Sequence, residues 1–558
     1  MICFFILSFY IFNVFPPIKN FDITLFFKKL VNKKVPLYFC VKLLKVFCFR
    51  KTELQVDNMK NLGLLFACCF FLSAGFSKER TEAISTITTI HSLQLEKEKL
   101  DYKATAGCLD LHDKNGNVTA HIFFTAYTKA SENSNQRPIT FCFNGGPGCS
   151  SAWLHIGFLG PKKIKTDDEG KSCSLPYCLI DNKYTLLDVS DLVFIDTVGT
   201  GFSTVEAEID PSQFYSLRGD ISACADFIRD YITHFNRWLS PKYLIGESYG
   251  TTRVSGLGEY LQRSYGINVD GIVLVSLAVD IQNLFTNNLQ RYSHYTTIPY
   301  ITYFPSYAAV AYYHKKLSLD KSFDEVIQEA RDFAENDYAL ALLKGDRLTS
   351  QEFENTANEM AKYSGLSVDL IKRYNLRVPA NVFLNELLKD QNLNMGIYDG
   401  RVVGFSHGVD QFSMGLDLRL FLLDPSTYNI DNGITACINS YLKEDLHYTE
   451  NKFPYVMINE EVNQMWDFSP FLDIYSNLSS CLEASMIMNP ALKIFTASGY
   501  YDLVTPFCAS LYTIDHLNIP SSYRKRITVK NYEGGHMMYL NPKVLKNLKS
   551  DLKKFYQE

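Results

Sequence analysis

The amino-acid sequence predicts an α/β protein whose mostly parallel central sheet is interrupted once by a block of helices. Three observations carry that expectation: short runs that are apolar on both faces, helical patterns that follow them, and a long central stretch where such runs stop. The runs are Ile139 to Phe143, Leu192 to Ile195, Tyr243 to Ile245, Ile272 to Val275, Ile494 to Thr496 and Ile527 to Val529. Strands packed between two helix layers lose the alternation of apolar and polar residues, because both faces meet apolar neighbours. Helical periodicity at Arg218 to Phe235 and Thr251 to Arg263 follows two of these runs, and strand–helix alternation is the mark of α/β architecture.

Taken in order, the chain divides into five parts. Residues 1–58 alternate Phe, Ile and Leu runs with lysines such as Lys28, Lys29, Lys33 and Lys34. They read either as an over-extended gene start with Met59 the true initiator, or as a second signal or anchor helix. Residues 59–77 read as a signal peptide. They have a positive start at Lys60, an apolar run from Leu62 to Ala74, and small residues at Ser73, Ala74, Gly75 and Ser77 for cleavage. That run falls short of the ~20 apolar residues a membrane span needs. The expectation is a secreted or periplasmic protein, or a membrane-anchored one if the upstream segment is retained.

Residues 78–284 form the first part of the core, beginning with an antiparallel hairpin region from about Ser92 to Tyr127 around the turn Asp113-Lys114-Asn115-Gly116-Asn117. Residues 285–433 read as a helical cap, rich in Glu, Lys, Ala and Tyr, with helices at Phe323 to Leu343 and Ser350 to Tyr363. Residues 434–558 return to the core, the sheet resuming near Lys493. Beyond residue 77 the chain carries 45 Lys/Arg against 57 Asp/Glu, a net of −12. With no basic tract, that balance argues against nucleic acid and anionic membrane surfaces. Nine cysteines remain there, an odd number. Export permits disulfides, and Cys173 with Cys178 could close a small loop, while buried thiols are an equal reading. No Cys/His spacing suggests a metal, and no cofactor is implied.

The chemistry is concentrated in four places. Gly246-Glu247-Ser248-Tyr249-Gly250 matches G-x-S-x-G between a strand and a helix. This is the nucleophile elbow of the α/β-hydrolase fold, where a sharp turn lifts a serine hydroxyl out of the sheet. A serine needs a base, and an imidazole needs a carboxylate to hold its tautomer. In α/β hydrolases these follow in the order Ser, Asp/Glu, His. Asp502 lies on a loop after Ile494 to Thr496, and His536 follows Gly534-Gly535 after the last strand. Other downstream histidines, such as His314, fall in the helical stretch. The backbone N–H of Tyr249, after the nucleophile, is expected to donate to the oxyanion. A second donor is expected from the loop Asn144-Gly145-Gly146-Pro147-Gly148-Cys149-Ser150-Ser151.

That loop, the elbow Gly246-Glu247-Ser248-Tyr249, the run Val198-Gly199-Thr200-Gly201-Phe202-Ser203 and Gly535-His536-Met537 together resemble the serine carboxypeptidase family. The resemblance runs from about residue 100 to the C-terminus. Trp153-Leu154-His155 and Tyr501-Asp502-Leu503-Val504-Thr505-Pro506-Phe507 look like its bacterial branch. It implies a nucleophile at Ser248, a general base at His536 and an orienting carboxylate at Asp502, with oxyanion donors at Gly146 and Tyr249. It also implies that Asn144, Gly145 and Glu247 grip the free α-carboxylate of a peptide, the expected substrate.

One departure matters. Acid-acting relatives carry a second Glu after the glycine loop, sharing a proton with the elbow Glu. Alignment on Gly160-Pro161 puts Phe158 there. Glu247 then needs burial or another partner to stay protonated, with His155 the first candidate, and activity is expected nearer neutral pH. The leading function is release of C-terminal residues through an acyl-enzyme. The alternatives are an esterase, amidase or acyltransferase on the same triad, or a catalytically silent binding protein.

Overall fold

The ladder that positions everything else runs through the middle of the chain, at Lys242–Glu247, Gly271–Val275 and Lys493–Gly499. Ile272 sits in parallel register between Leu244 and Ile494. The computed structural model describes residues 85–130, 136–172, 175–284, 297–405, 424–451, 453–468 and 477–558. The expected N-terminal extension and signal peptide, Cys173, and residues 285–296 and 406–423 of the expected cap lie outside the described residues.

Among the described residues the main sheet has ten strands: β1 Ser85–Gln94, β2 Lys99–His112, β3 Val118–Lys129, β4 Ile139–Phe143, β5 Asp191–Ile195, β6 Thr204–Val205, β7 Lys242–Glu247, β8 Gly271–Val275, β9 Lys493–Gly499 and β10 Ile527–Tyr532. Their order is β1-β2-β3-β5-β4-β7-β8-β9-β10, with β6 beside β3. β1, β2, β3 and β5 pair antiparallel, as β6 does with β3, and every pair along the order from β5 through β4, β7, β8 and β9 to β10 is parallel. The sequence runs recur as strands, Ile139–Phe143 unchanged and the others lengthened by one to four residues.

Apolar side chains of the parallel strands split between two cores. Tyr243, Ile245, Val273 and Val275 face one cluster; Leu244, Ile272 and Leu274 face the other. Such double burial is why these strands read as unbroken apolar runs. The second cluster is closed by α1 Leu217–His234 and α2 Tyr249–Tyr265. Ser216 caps α1 by accepting from the Gly219 N–H at 3.1 Å, and Gly266 ends α2 at φ 66°, a left-handed conformation that glycine adopts without steric cost. The first cluster is closed by the C-terminal helix Pro542–Gln557, through Val544, Leu545, Leu548, Leu552 and Phe555.

Between the two runs of sheet lie α3 Ile298–Tyr313, α4 Phe323–Phe333 and α5 Ser350–Ser364. They have a hydrophobic core of their own, in which Tyr307 stacks on Phe383 with centroids 4.2 Å apart. Ser322 with Glu325, and Thr349 with Glu352, form capping boxes that satisfy the first-turn N–H groups of α4 and α5. The helical stretch expected from Phe323 to Leu343 is helical throughout, as α4, a wider π-helical turn at Ala334–Tyr338 and a further short helix Ala339–Lys344. The stretch also holds a small antiparallel pair, Leu393–Met395 with Val403–Phe405, whose three-residue strands are too short to show a period. Helix α6, Pro425–Ser440, runs across residue 433. No helix among the described residues is long and apolar enough to cross a membrane. The eight described cysteines are free thiols, of which Cys178 is exposed.

Candidate active site

Ser248 stands at the junction of β7 and α2 with φ 58° and ψ −128°. A non-glycine residue held there costs about 1–3 kcal/mol, and persists only where the surroundings fix it. Here they do. The Ser248 N–H donates to Val275 O at 3.0 Å. Its carbonyl accepts from both the N–H and the hydroxyl of Thr251, at 2.8 and 2.7 Å. The flanking glycines are required by space: a Cβ on Gly246 would lie 2.2 Å from Gly250 O, and one on Gly250 would lie 2.5 Å from Phe143 O.

Asp502 and His536 arrive from the loops after β9 and β10. His536 Nδ1 lies 2.7 Å from Asp502 Oδ2. Asp502 Oδ1 accepts the N–H groups of Val504 and Thr505 at 2.8 and 2.9 Å, and Oδ2 accepts the Thr505 hydroxyl at 2.6 Å. A carboxylate so saturated fixes Nδ1 as the protonated nitrogen, leaving Nε2 as the acceptor. The His536 loop is clamped at both ends of its residue: its N–H donates to Tyr398 O at 2.6 Å, and its carbonyl accepts the Ser276 hydroxyl at 2.7 Å. Burial alone would lower the His536 pKa, but the Asp502 charge and hydrogen bond, with the Glu247 charge, outweigh it and raise it.

The glycine loop after β4 passes directly against the elbow. A Cβ on Gly145 would sit 2.6 Å from Tyr249 N, so the loop's backbone and the first N–H of α2 share one small space. Tyr249 heads that helix, where the N–H groups have no intrahelical acceptor. Gly146 follows at φ 103°. The loop is braced by residues that pattern reading passed over. Asp196 Oδ1 accepts from the N–H and hydroxyl of Ser151, at 2.9 and 2.8 Å, and from Tyr455 at 2.7 Å. Buried Arg253 donates to Asp220 at 2.7 Å and to Asn144 O at 2.5 Å. The Val198–Ser203 run serves this brace: Ser203 donates to Asp196 O at 2.7 Å, and a Cβ on Gly201 would strike the Asp196 carboxylate.

Asn144 and Glu247 meet beside the serine. Asn144 Nδ2 donates to Glu247 Oε2 at 2.6 Å, and its Oδ1 accepts the Leu154 N–H at 3.1 Å, which fixes the amide's orientation. Glu247 is buried, and desolvation, opposed by the His536 charge and by hydrogen bonds from Tyr539 and Asn144, raises its pKa to about 7. His155, the first candidate had a further partner been needed, is elsewhere. Its Nε2 bonds the Tyr127 hydroxyl at 2.6 Å, its ring stacks on Phe194, and burial lowers its pKa to about 3. The partner is Tyr539, whose hydroxyl lies 2.9 and 2.8 Å from the two carboxyl oxygens. Tyr539 stands three residues after His536, a spacing that was the available signal. It joins the site because Phe158 stacks on its ring.

Ser248, His536, Asn144, Gly145, Gly146 and Glu247 line one cleft, together with Cys149, Trp153, Tyr398 and Met537. All eight expected residues are therefore gathered: Tyr249 abuts the loop, and Asp502 lies behind His536. Trp153, Tyr398 and Met537 complete the lining without having been expected there.

A largely parallel sheet in this strand order, with a serine on a strained strand–helix turn backed by a His–Asp pair, defines an α/β hydrolase of the serine type. A profile of the serine carboxypeptidases matches residues 95–546, and the chain belongs to that family. It is 25% identical over 428 residues to serine carboxypeptidase-like 25 of Arabidopsis thaliana, covering 72% of this chain and 74% of that one. It is 34% identical over 145 residues to the pheromone-processing carboxypeptidase KEX1 of Saccharomyces cerevisiae, covering 25% of this chain and 18% of that one. Among solved structures, the peroxisomal α/β-hydrolase Lpx1 of Saccharomyces cerevisiae is similar at a TM-score of 0.32 and 10% identity, over 86% of this chain and 90% of that one.

Proposed function

We propose that the protein is a serine carboxypeptidase that removes the C-terminal residue of peptides through an acyl-enzyme. The observation that carries this reading is the buried Asn144–Glu247 pair beside Ser248 in the cleft that also holds His536. Ser248 Oγ attacks the last peptide carbonyl while His536 Nε2 takes its proton. The tetrahedral oxyanion is held by the N–H groups of Gly146 and Tyr249. His536 then protonates the departing α-amine, and a water, deprotonated by the same nitrogen, hydrolyses the Ser248 ester. Asn144 and the Gly145 N–H, with neutral Glu247, bind the substrate's α-carboxylate and so place only the last bond over Ser248.

The test compares a peptide with its C-terminal amide. An amide cannot accept the same charge-assisted hydrogen bonds and leaves donors unpaired, a cost of ~1–3 kcal/mol, or about one to two orders of magnitude in kcat/KM. Equal rates on both would sink the carboxypeptidase reading in favour of an esterase, amidase or acyltransferase.

The same reading extends to the rest of the chain. Residues 59–77 support export to the periplasm or exterior. The cap reading, residues 285–433, is supported by the hydrophobic cluster that α3 to α5 build, which reaches the rest of the chain through Tyr501, Leu503 and Phe507. The motifs at Trp153-Leu154-His155 and Tyr501–Phe507 support a bacterial-type branch of the family, though the relatives named above are from a plant and a yeast.

A further inference from the structure

The position that carries a second carboxyl in acid-acting relatives is filled here by a ring that touches a different residue. Phe158 lies flat on Tyr539, centroids 4.8 Å apart and planes 4° from parallel. Both rings are fully buried. The stack points the phenol at Glu247, equidistant from its two oxygens. We propose that Tyr539, oriented by Phe158, is a specificity-determining positioning residue that holds Glu247 through a donor that keeps its own proton, so that the site reads a substrate carboxylate through one titrating group. This inference rests on the carboxypeptidase reading above.

Two carboxyls can bridge only while a proton is shared between them, so such a grip fails when that proton leaves. A phenol bridges a carboxyl in either state. Burial, then the Glu247 charge, pushes the Tyr539 hydroxyl well above its ordinary value, so it stays protonated wherever a peptidase works. Glu247 alone then changes state. Neutral, it donates its O–H to the incoming carboxylate; charged, it repels it. A donated O–H favours the charged form, so the Tyr539 hydroxyl opposes the burial that keeps Glu247 neutral and thereby sets the upper pH of carboxylate binding. The other groups facing Glu247 are His536 and Asp502 across the cleft, Asn144 and Cys149 from the glycine loop, with Arg253 behind Asn144 and Asp431 of α6 acting on Tyr539. None of these changes in a Tyr539→Phe variant, which also retains the stack.

The experiment is steady-state kinetics of the full chain on an N-blocked peptide and on its C-terminal amide between pH 5 and 9. In the wild type, KM for the free acid should rise about tenfold per pH unit above about 7, with no such rise for the amide. Tyr539→Phe should move that rise upward by about one pH unit, the change falling on KM rather than kcat. Glu247→Gln, permanently neutral, should abolish the rise, and Tyr539→Phe added to it should shift nothing. A rise that stays in place or moves down in Tyr539→Phe overturns the role of Tyr539, while a wild-type preference for the free acid keeps the carboxypeptidase reading. A rise that persists in Glu247→Gln overturns the single titrating group without recourse to any Tyr539 variant. Equal wild-type rates on acid and amide remove both.

Discussion

In the proposed mechanism each residue of the Ser248–His536–Asp502 set has a role that one substitution removes. Ser248→Ala takes away the nucleophile and should lower kcat by about 10⁶, leaving a residual of roughly 10³ over water from the oxyanion donors. Asp502→Asn replaces an acceptor at Oδ2 with a group that can turn an N–H toward Nδ1. The wrong tautomer then places the proton on Nε2, and a loss of about 10⁴ follows. His536→Ala should be as severe as loss of the serine. Single-turnover assays with a chromogenic ester measure all three, and a tenth of wild-type activity in either partner variant would refute its assignment. The pH dependence follows from the same residues. His536 must be neutral to act as base, and its pKa is raised, so activity falls on the acid side as it becomes protonated. Glu247, with its pKa raised to about 7, must be neutral to hold the substrate, so binding of free acids falls on the alkaline side. The two groups interact, so a bell-shaped kcat/KM for free acids reports the pair rather than either residue. The amide should lack the alkaline limb.

At the scale of elements, precision comes from backbones brought too close for side chains. β4, β7 and α2 converge at the elbow. Gly250, at the start of α2, leaves no room for a Cβ against Phe143 O of β4. Gly250→Ala should push the helix off the strand, costing about 1–3 kcal/mol as overpacking does. It should also lower activity more than stability, because Tyr249 N–H and Ser248 ride on that helix start. Urea denaturation beside kcat/KM separates the two, and an unchanged kcat/KM would show that the elbow tolerates the shift. The opposite element, the loop after β9, is anchored by the helical stretch: Leu503 N–H donates to Ile397 O and Gly400 N–H to Tyr501 O, both at 2.9 Å. The loop that carries Asp502 thereby packs, through Tyr501, Leu503 and Phe507, into the hydrophobic core of the helical stretch.

For the whole molecule, the residues that complete the cleft come from segments far apart in sequence. Tyr398, from the connection between the two short antiparallel strands of the inserted stretch, packs edge-on to His536 with centroids 5.2 Å apart, so that stretch helps to build the cleft. The chain that carries this site should begin, once exported, near residue 76 to 78, following the small-residue cluster at Ser73 to Ser77. N-terminal sequencing of the secreted protein decides this, and a mature form that retains Lys28 would indicate an anchor instead.

The sequence by itself determined the sheet's parallel half, because strands buried on both faces leave a local apolar run that no helix period explains. It also pointed to Ser248, Asp502 and His536, which the fold brings together, because an elbow and two post-strand loops are local patterns whose order is fixed by topology. It marked Phe158 as a departure. Only the tertiary structure decided what that departure does. Tyr539 meets Glu247 across 292 residues of chain, and Asp196 meets Tyr455 across 259. Such contacts leave no period in sequence. The same limit explains why His155, two residues after Trp153, was no guide to a partner for Glu247: neighbours on a helical segment face different ways, and His155 turns to Tyr127 and Phe194 inside the core. Local chemistry is written in spacing, whereas the state of a buried carboxyl depends on how deeply packing buries it and on which distant side chains it brings within hydrogen-bond reach.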